Sequence, residues 1–119
     1  MTDRTGSTNR AMDTALDLDH LGRMTHCDRE LEREVLELFD RQAAMMVDRL
    51  RSATAEVAVS CAHTLKGSAR GIGAWRLARA AEQVERVAAA SAPDVAAAVA
   101  QLLGAVDEAR SAIARRLIS

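Results

Sequence analysis

Apolar residues recur every three or four positions along most of the chain, the spacing that gathers them on one side of a helix. Leu16, Leu18, Leu21 and Met24 mark a short helical segment over residues 13–24. Thr25-His26-Cys27-Asp28 has the spacing of a capping box and predicts that a long helix starts there. Leu31, Val35, Leu38, Phe39, Met46 and Leu50 form its inward stripe to about Ser52, while Glu30, Arg33, Glu37 and Arg41 cover the solvated side. Glu37 and Arg41 stand one turn apart in the favourable order, worth about 0.3–0.5 kcal/mol to the helix and nothing to chemistry. A third helix, over 54–70, carries Val57, Cys61, Leu65, Ser68 and Ile72 on its core side. Gly71-Ile72-Gly73 ends it, because glycine enters the left-handed region at little cost.

Trp75, Leu77, Ala78, Ala81, Val84 and Val87 mark a fourth helix to about Ala90. Ser91-Ala92-Pro93-Asp94 then combines a cap residue, a first-turn proline and an acidic residue ahead of the last helix. That helix carries Val95, Val99, Leu102, Leu103, Val106, Ala109, Ile113 and Leu117 almost to the end of the sequence. Four long amphipathic helices with short connections bury their stripes most simply as an antiparallel four-helix bundle. The expected fold is all-α, with the short N-terminal helix lying over one end of the bundle.

Composition agrees and narrows the functional classes. A chain of 119 residues fits one domain, set at 13–119. Residues 1–12 hold too little apolar surface to offset the entropy of ordering and are expected to form a flexible tail. Phe39 and Trp75 are the only aromatic residues, a balance that suits close-packed alanine-rich helices. A net charge of −1 gives no electrostatic reason to expect nucleic acid or an anionic membrane as partner. No apolar run approaches the roughly 20 residues of a membrane span, and the polar start lacks the apolar segment that export needs. Cys27 and Cys61 read as free thiols of a cytoplasmic protein. His20, His26 and Cys27 lack the spacing of a complete ligand set, so no metal site is expected.

Two features of the 54–70 helix exceed what packing asks for. At about 100° per residue, His63 falls opposite the Cys61, Leu65 and Ile72 stripe and points to solvent. Gly67 stands one turn later on the same face, where it costs about 0.5–1 kcal/mol relative to alanine. Lys66 lies beside His63, with Ser60 before it and Arg70 farther along. A neutral imidazole is nucleophilic near neutral pH and can carry a phosphoryl group covalently. Lys66 would offset the added charge, Gly67 would let a partner approach closely, and Ser60 and Arg70 would border the docking surface. No Walker loop, kinase signature or dinucleotide fingerprint is present, so ATP is not the expected donor and the phosphoryl group comes from another protein.

His63-Thr64-Leu65-Lys66-Gly67-Ser68-Ala69, followed by Gly73-Ala74 and Leu77, resembles the signature of histidine-containing phosphotransfer (HPt) domains. The resemblance extends loosely from about residue 16 through Glu34, Leu38 and Phe39 to Glu82-Gln83-Val84-Glu85. It implies a four-helix bundle that shuttles phosphoryl groups between receiver-domain aspartates in a multistep, two-component phosphorelay. By the same resemblance His63 is the phosphorylated residue, Lys66 and Gly67 are its supporting positions, and a hybrid histidine kinase stands upstream. The chain itself would bind no cofactor, since the receiver supplies Mg²⁺ and the acidic pocket, and it would work as a monomer. The main alternative is a non-catalytic helical adaptor that binds receivers, disfavoured by the presence of both His63 and Lys66. A histidine-kinase dimerisation domain is disfavoured because Thr64, and not an acidic residue, follows the histidine.

Overall fold

The computed structural model describes residues 14–90 and 94–119, so the expected tail and the Ser91-Ala92-Pro93 part of the last cap lie outside the described residues. Five helices occur among them: α1 (Leu18–Met24), α2 (Arg29–Arg51), α3 (Ala55–Ile72), α4 (Trp75–Ala89) and α5 (Val95–Ile118), with no strand. The chain is an all-α helical bundle. Each long helix packs on its sequence neighbours, and α5 closes the ring against α2.

Asp17 caps α1 by accepting from the His20 amide at 3.1 Å. Its own N–H donates to the Gly73 carbonyl at 2.9 Å, and its other carboxylate oxygen accepts from Trp75 Nε1 at 2.9 Å. The His20 ring meets Trp75 edge-on, with centroids 4.8 Å apart. These contacts pin α1 to the α3–α4 turn and give Trp75 its place. Gly73 there has φ +81°, and a Cβ would stand 3.0 Å from the Asp17 carbonyl oxygen, so glycine is required. Gly71 stays helical, contrary to the expectation that both glycines turn the chain.

The start of α2 differs from expectation by three residues. Thr25 is the buried C-cap of α1, its hydroxyl donating to the Leu21 carbonyl at 2.8 Å. His26 and Cys27 adopt left-handed angles, φ 54° and 58°, which separate the two helices. Asp28 therefore caps α2, accepting from the amides of Glu30 and Leu31 at 2.9 and 3.2 Å.

The buried stripe of α2 is Glu32, Leu36, Phe39, Ala43, Met46 and Leu50. Leu31 and Leu38, expected inside, are 37% and 62% exposed, and Val35 is half-buried. Alanine and a carboxylate hold core positions that hydropathy does not mark, leaving a second apolar strip with equally good helical spacing. Glu32 is buried because Arg116 of α5 grips it twice, Nε to Oε2 at 2.7 Å and Nη2 to Oε1 at 3.1 Å. The Arg116 guanidinium holds the Glu32 carboxyl below its usual range, against the opposing effect of burial. Asp40 and Arg110 make a second such bond at 2.8 Å. Glu32 pairs near the end of α5 and Asp40 with a residue nearer its middle, so the two helices run in opposite directions. Glu37 lies 3.8 Å from Arg33 one turn before it, where Arg41 one turn after it was expected as the partner.

In α3 the core side is Ala58, Cys61, Ala62, Leu65, Ala69 and Ile72. Val57 and Ser68 are rotated to the margin, and Ser68 donates to Gln42 Oε1 of α2 at 3.0 Å. Leu77, Ala78, Ala81 and Val84 of α4 and Ala98, Leu102, Val106, Ala109 and Ile113 of α5 complete the core. Small residues facing one another let the backbones approach closely, so helix spacing and rotation around α3 are set by contact.

Candidate functional site

Thr54 opens α3 by accepting from the Val57 amide at 3.3 Å, and Gly73 closes it. Between these caps the burial of Ala62 and Leu65 fixes the rotation of the helix and turns His63 outward, with 72% of its side chain exposed. Ser60 and Gly67 are exposed on the same face. A Cβ added to Gly67 meets nothing within 4 Å, so internal packing does not account for the glycine. Arg70 is exposed and lies 3.7 Å from Glu82 of α4. Thus Ser60, His63, Gly67 and Arg70 share one outward face, as their spacing implied.

Lys66 is placed differently. Its side chain is only 19% exposed and lies against α4, where its ammonium reaches Glu85 Oε1 at 2.6 Å. That oxygen is closed off from water, and the approach falls outside hydrogen-bond geometry, so the contact is an ion pair first. The other carboxylate oxygen, Oε2, is 2.9 Å from His63 Nδ1. One carboxylate thus bridges the lysine and the imidazole across the α3–α4 interface.

Glu85 is the residue that sequence reasoning missed. It stands 22 positions from His63 in the Glu82-Gln83-Val84-Glu85 stretch, where the spacing along α4 marks it only as polar. The contact arises from α3 and α4 folding back across Gly73. The Lys66 ammonium pressed against it holds the Glu85 carboxyl below its usual range, burial opposes this, and the hydrogen bond with His63 adds to it. An ionised Glu85 only accepts, so a neutral His63 donates from Nδ1 and keeps its lone pair on Nε2. The arrangement presents a nucleophilic nitrogen to solvent and holds an anion behind the ring to oppose any positive charge it acquires.

His20, His26 and Cys27 do not converge, and among the described residues no three His, Cys, Asp or Glu side chains are grouped to hold a metal ion. No helix among the described residues is long and apolar enough to cross a membrane.

Among sequence models of protein families, the Hpt domain matches residues 8–112. That span covers most of the chain, which belongs to the Hpt domain family and carries that family's role, histidine phosphotransfer in phosphorelays. Its partners are of the kind the family serves, receiver domains and histidine kinases. Neither the curated proteins nor the solved structures give a match.

Proposed function

We propose that His63 is the phosphoacceptor of this domain, taking a phosphoryl group from the aspartate of one receiver domain and passing it to another. The single observation that carries the reading is the 2.9 Å contact between His63 Nδ1 and Glu85, on an imidazole that is otherwise open to solvent. The Nε2 lone pair attacks phosphorus; the N–P bond forms as the P–O bond to the receiver's aspartate breaks, and the carboxylate leaves with the electron pair. The proton stays on Nδ1, so the phosphorylated ring is cationic and Glu85 balances it. Lys66 adds positive charge beside the phosphoryl oxygens. Return to a second aspartate reverses the same bonds.

Ser60, Gly67 and Arg70 form the docking rim in this reading, with Gly67 admitting the partner's loops to His63. The receiver supplies Mg²⁺ and its acidic pocket, the chain binds no cofactor of its own, and a hybrid histidine kinase charges the first receiver. The domain acts as a cytoplasmic monomer, since the His63 face has to stay open to each partner in turn. Incubation with a phosphorylated receiver is expected to place acid-labile, base-stable label on the wild-type chain, with none from ATP alone and none on His63→Gln. Label of the same amount on a folded His63→Gln variant overturns the assignment.

A further inference from the structure

The Glu85 carboxylate is held at both of its oxygens. Oε1 is closed off from water and lies 2.6 Å from the Lys66 ammonium, which leaves Oε2 aimed at His63 Nδ1, 2.9 Å away. Lys66 also favours the ionised form of Glu85, and an ionised carboxylate accepts hydrogen bonds and donates none. The contact is therefore attractive only while Nδ1 carries a proton. A ring without it turns a lone pair toward the carboxylate, a repulsion that a glutamine in the same place escapes by presenting its amide N–H. The other charges around the ring are engaged elsewhere. Arg70 of α3 lies 3.7 Å from Glu82 of α4, and Arg86 of α4 donates to Gln83 Oε1 at 2.7 Å. From α2 the contact with α3 is made by Gln42 on Ser68, both neutral. From α5, Glu108 accepts from Arg76 at 2.7 Å, nine residues before Glu85 and about 13 Å along the α4 axis.

We propose that Glu85 holds the proton on Nδ1 of phosphorylated His63 and so keeps the phosphoryl group transferable on the alkaline side of neutrality, where a neutral residue in its place would leave the group inert. The inference rests on the reading of His63 as phosphoacceptor and concerns the step that follows, release. When a receiver's aspartate oxygen attacks phosphorus, the O–P bond forms, the N–P bond breaks, and its electron pair returns to Nε2. With the proton on Nδ1 the leaving group is neutral imidazole, a weak base whose conjugate acid titrates near about 6.5. Without that proton the leaving group is an imidazolate anion, a far stronger base and a far poorer leaving group. Water attacking in place of the receiver meets the same requirement, so the lifetime of the phosphohistidine and its onward transfer share one pH dependence. Glu85 acts through the ring and does not touch phosphorus, which makes it a positioning residue for the proton.

The test charges wild type and Glu85→Gln with phosphoramidate, a small donor that needs no docking, and then removes the excess. The phosphorus NMR shift of the phosphohistidine is followed against pH. Phosphate release is followed alongside it, as is transfer to whichever of a panel of purified receiver domains discharges the wild type fastest. In Glu85→Gln the NMR midpoint is expected about one pH unit lower, the size set by an opposite charge beside a mostly exposed ring. Release and transfer at about pH 8 then fall roughly three- to tenfold, since one unit of midpoint is a decade in the protonated fraction. At about pH 5.5, where both rings keep the proton, the variant is expected to match the wild type within about twofold or to be faster, which also reports that it is folded. An unmoved midpoint, or a rate loss of the same size at both pH values, overturns the inference and leaves the His63 reading standing. Label absent from the wild type, or persisting on His63→Gln, overturns both.

Discussion

Replacing Glu85 by alanine removes the anion held behind the His63 ring and frees the Lys66 ammonium at the same time. In the proposed reaction, transfer to Nε2 makes the ring cationic, so the lost stabilisation is that of a charge pair at the 2.9 Å contact. The ring is 72% exposed, which places the effective dielectric nearer water than protein interior. Coulomb's law with that screening leaves about 1–2 kcal/mol, well short of what a fully buried triad carboxylate supplies. At 1.36 kcal/mol per decade the transfer rate falls roughly five- to thirtyfold. Glu85→Gln keeps an acceptor for Nδ1–H but not the charge, so its rate lies between the two. Rapid-quench measurement of transfer from a saturating phosphorylated receiver gives the rates, and circular dichroism checks the fold. Phosphorus NMR adds a readout that a merely structural role does not move: the phosphoryl group is expected on Nε2 in the wild type, with the Nδ1 isomer gaining share in Glu85→Ala. A folded Glu85→Ala that transfers within twofold of wild type refutes the positioning role.

Gly73→Ala forces a Cβ onto a residue at φ +81° and to 3.0 Å from the Asp17 carbonyl oxygen. The backbone change alone costs about 1–2 kcal/mol, and the clash falls on the α1 anchor, so urea unfolding shows the loss and Trp75 fluorescence shows release from Asp17 and His20. Arg116→Ala leaves the Glu32 carboxylate buried with its main partner gone. Breaking a buried pair costs about 3–5 kcal/mol, and the low end applies because Arg116 keeps 24% of its side chain exposed. For Glu32 the folded carboxyl titrates below its ordinary value of 4.5, so its stabilisation is fully present above that pH and lost as pH falls through the folded value. Thermal melts between pH 6 and 3 are expected to show a decline below about pH 4.5 that flattens in Glu32→Gln; a slope unchanged by that substitution contradicts the assignment.

Helices announce themselves in this chain because the 3.6-residue period and the capping residues are local properties, and all five stand close to where the spacing puts them. The rotation of each helix is less legible. On α2 the Leu31-Val35-Leu38 strip and the true core stripe have the same period, and only packing decides between them. The choice turned on Ala43, too small to mark a core by hydropathy, and on Glu32, whose burial depends on an arginine 84 residues away. At the site, the spacing of Ser60, His63 and Gly67 on one helix is enough to place them on one outward face. The Lys66 contact and the whole contribution of Glu85 come from a second helix, and nothing in the local pattern of α4 separates Glu85 from Glu82 or Arg86. The misplaced cap at Thr25 has a similar origin, since two consecutive non-glycine residues in left-handed angles are rare enough that local reasoning passes over them.

The bridge between His63, Lys66 and Glu85 spans two helices, and this makes chemical competence a property of the folded chain. A peptide covering α3 alone contains the histidine, the lysine and the exposed Gly67, but it lacks the packing that stabilises the helix in the bundle and carries no carboxylate behind the ring. A newly made chain whose α4 has not yet docked is in the same condition. On the reading of His63 as phosphoacceptor, such chains are expected to compete poorly for phosphoryl groups against finished ones, so that the signal passes preferentially through molecules that have completed folding.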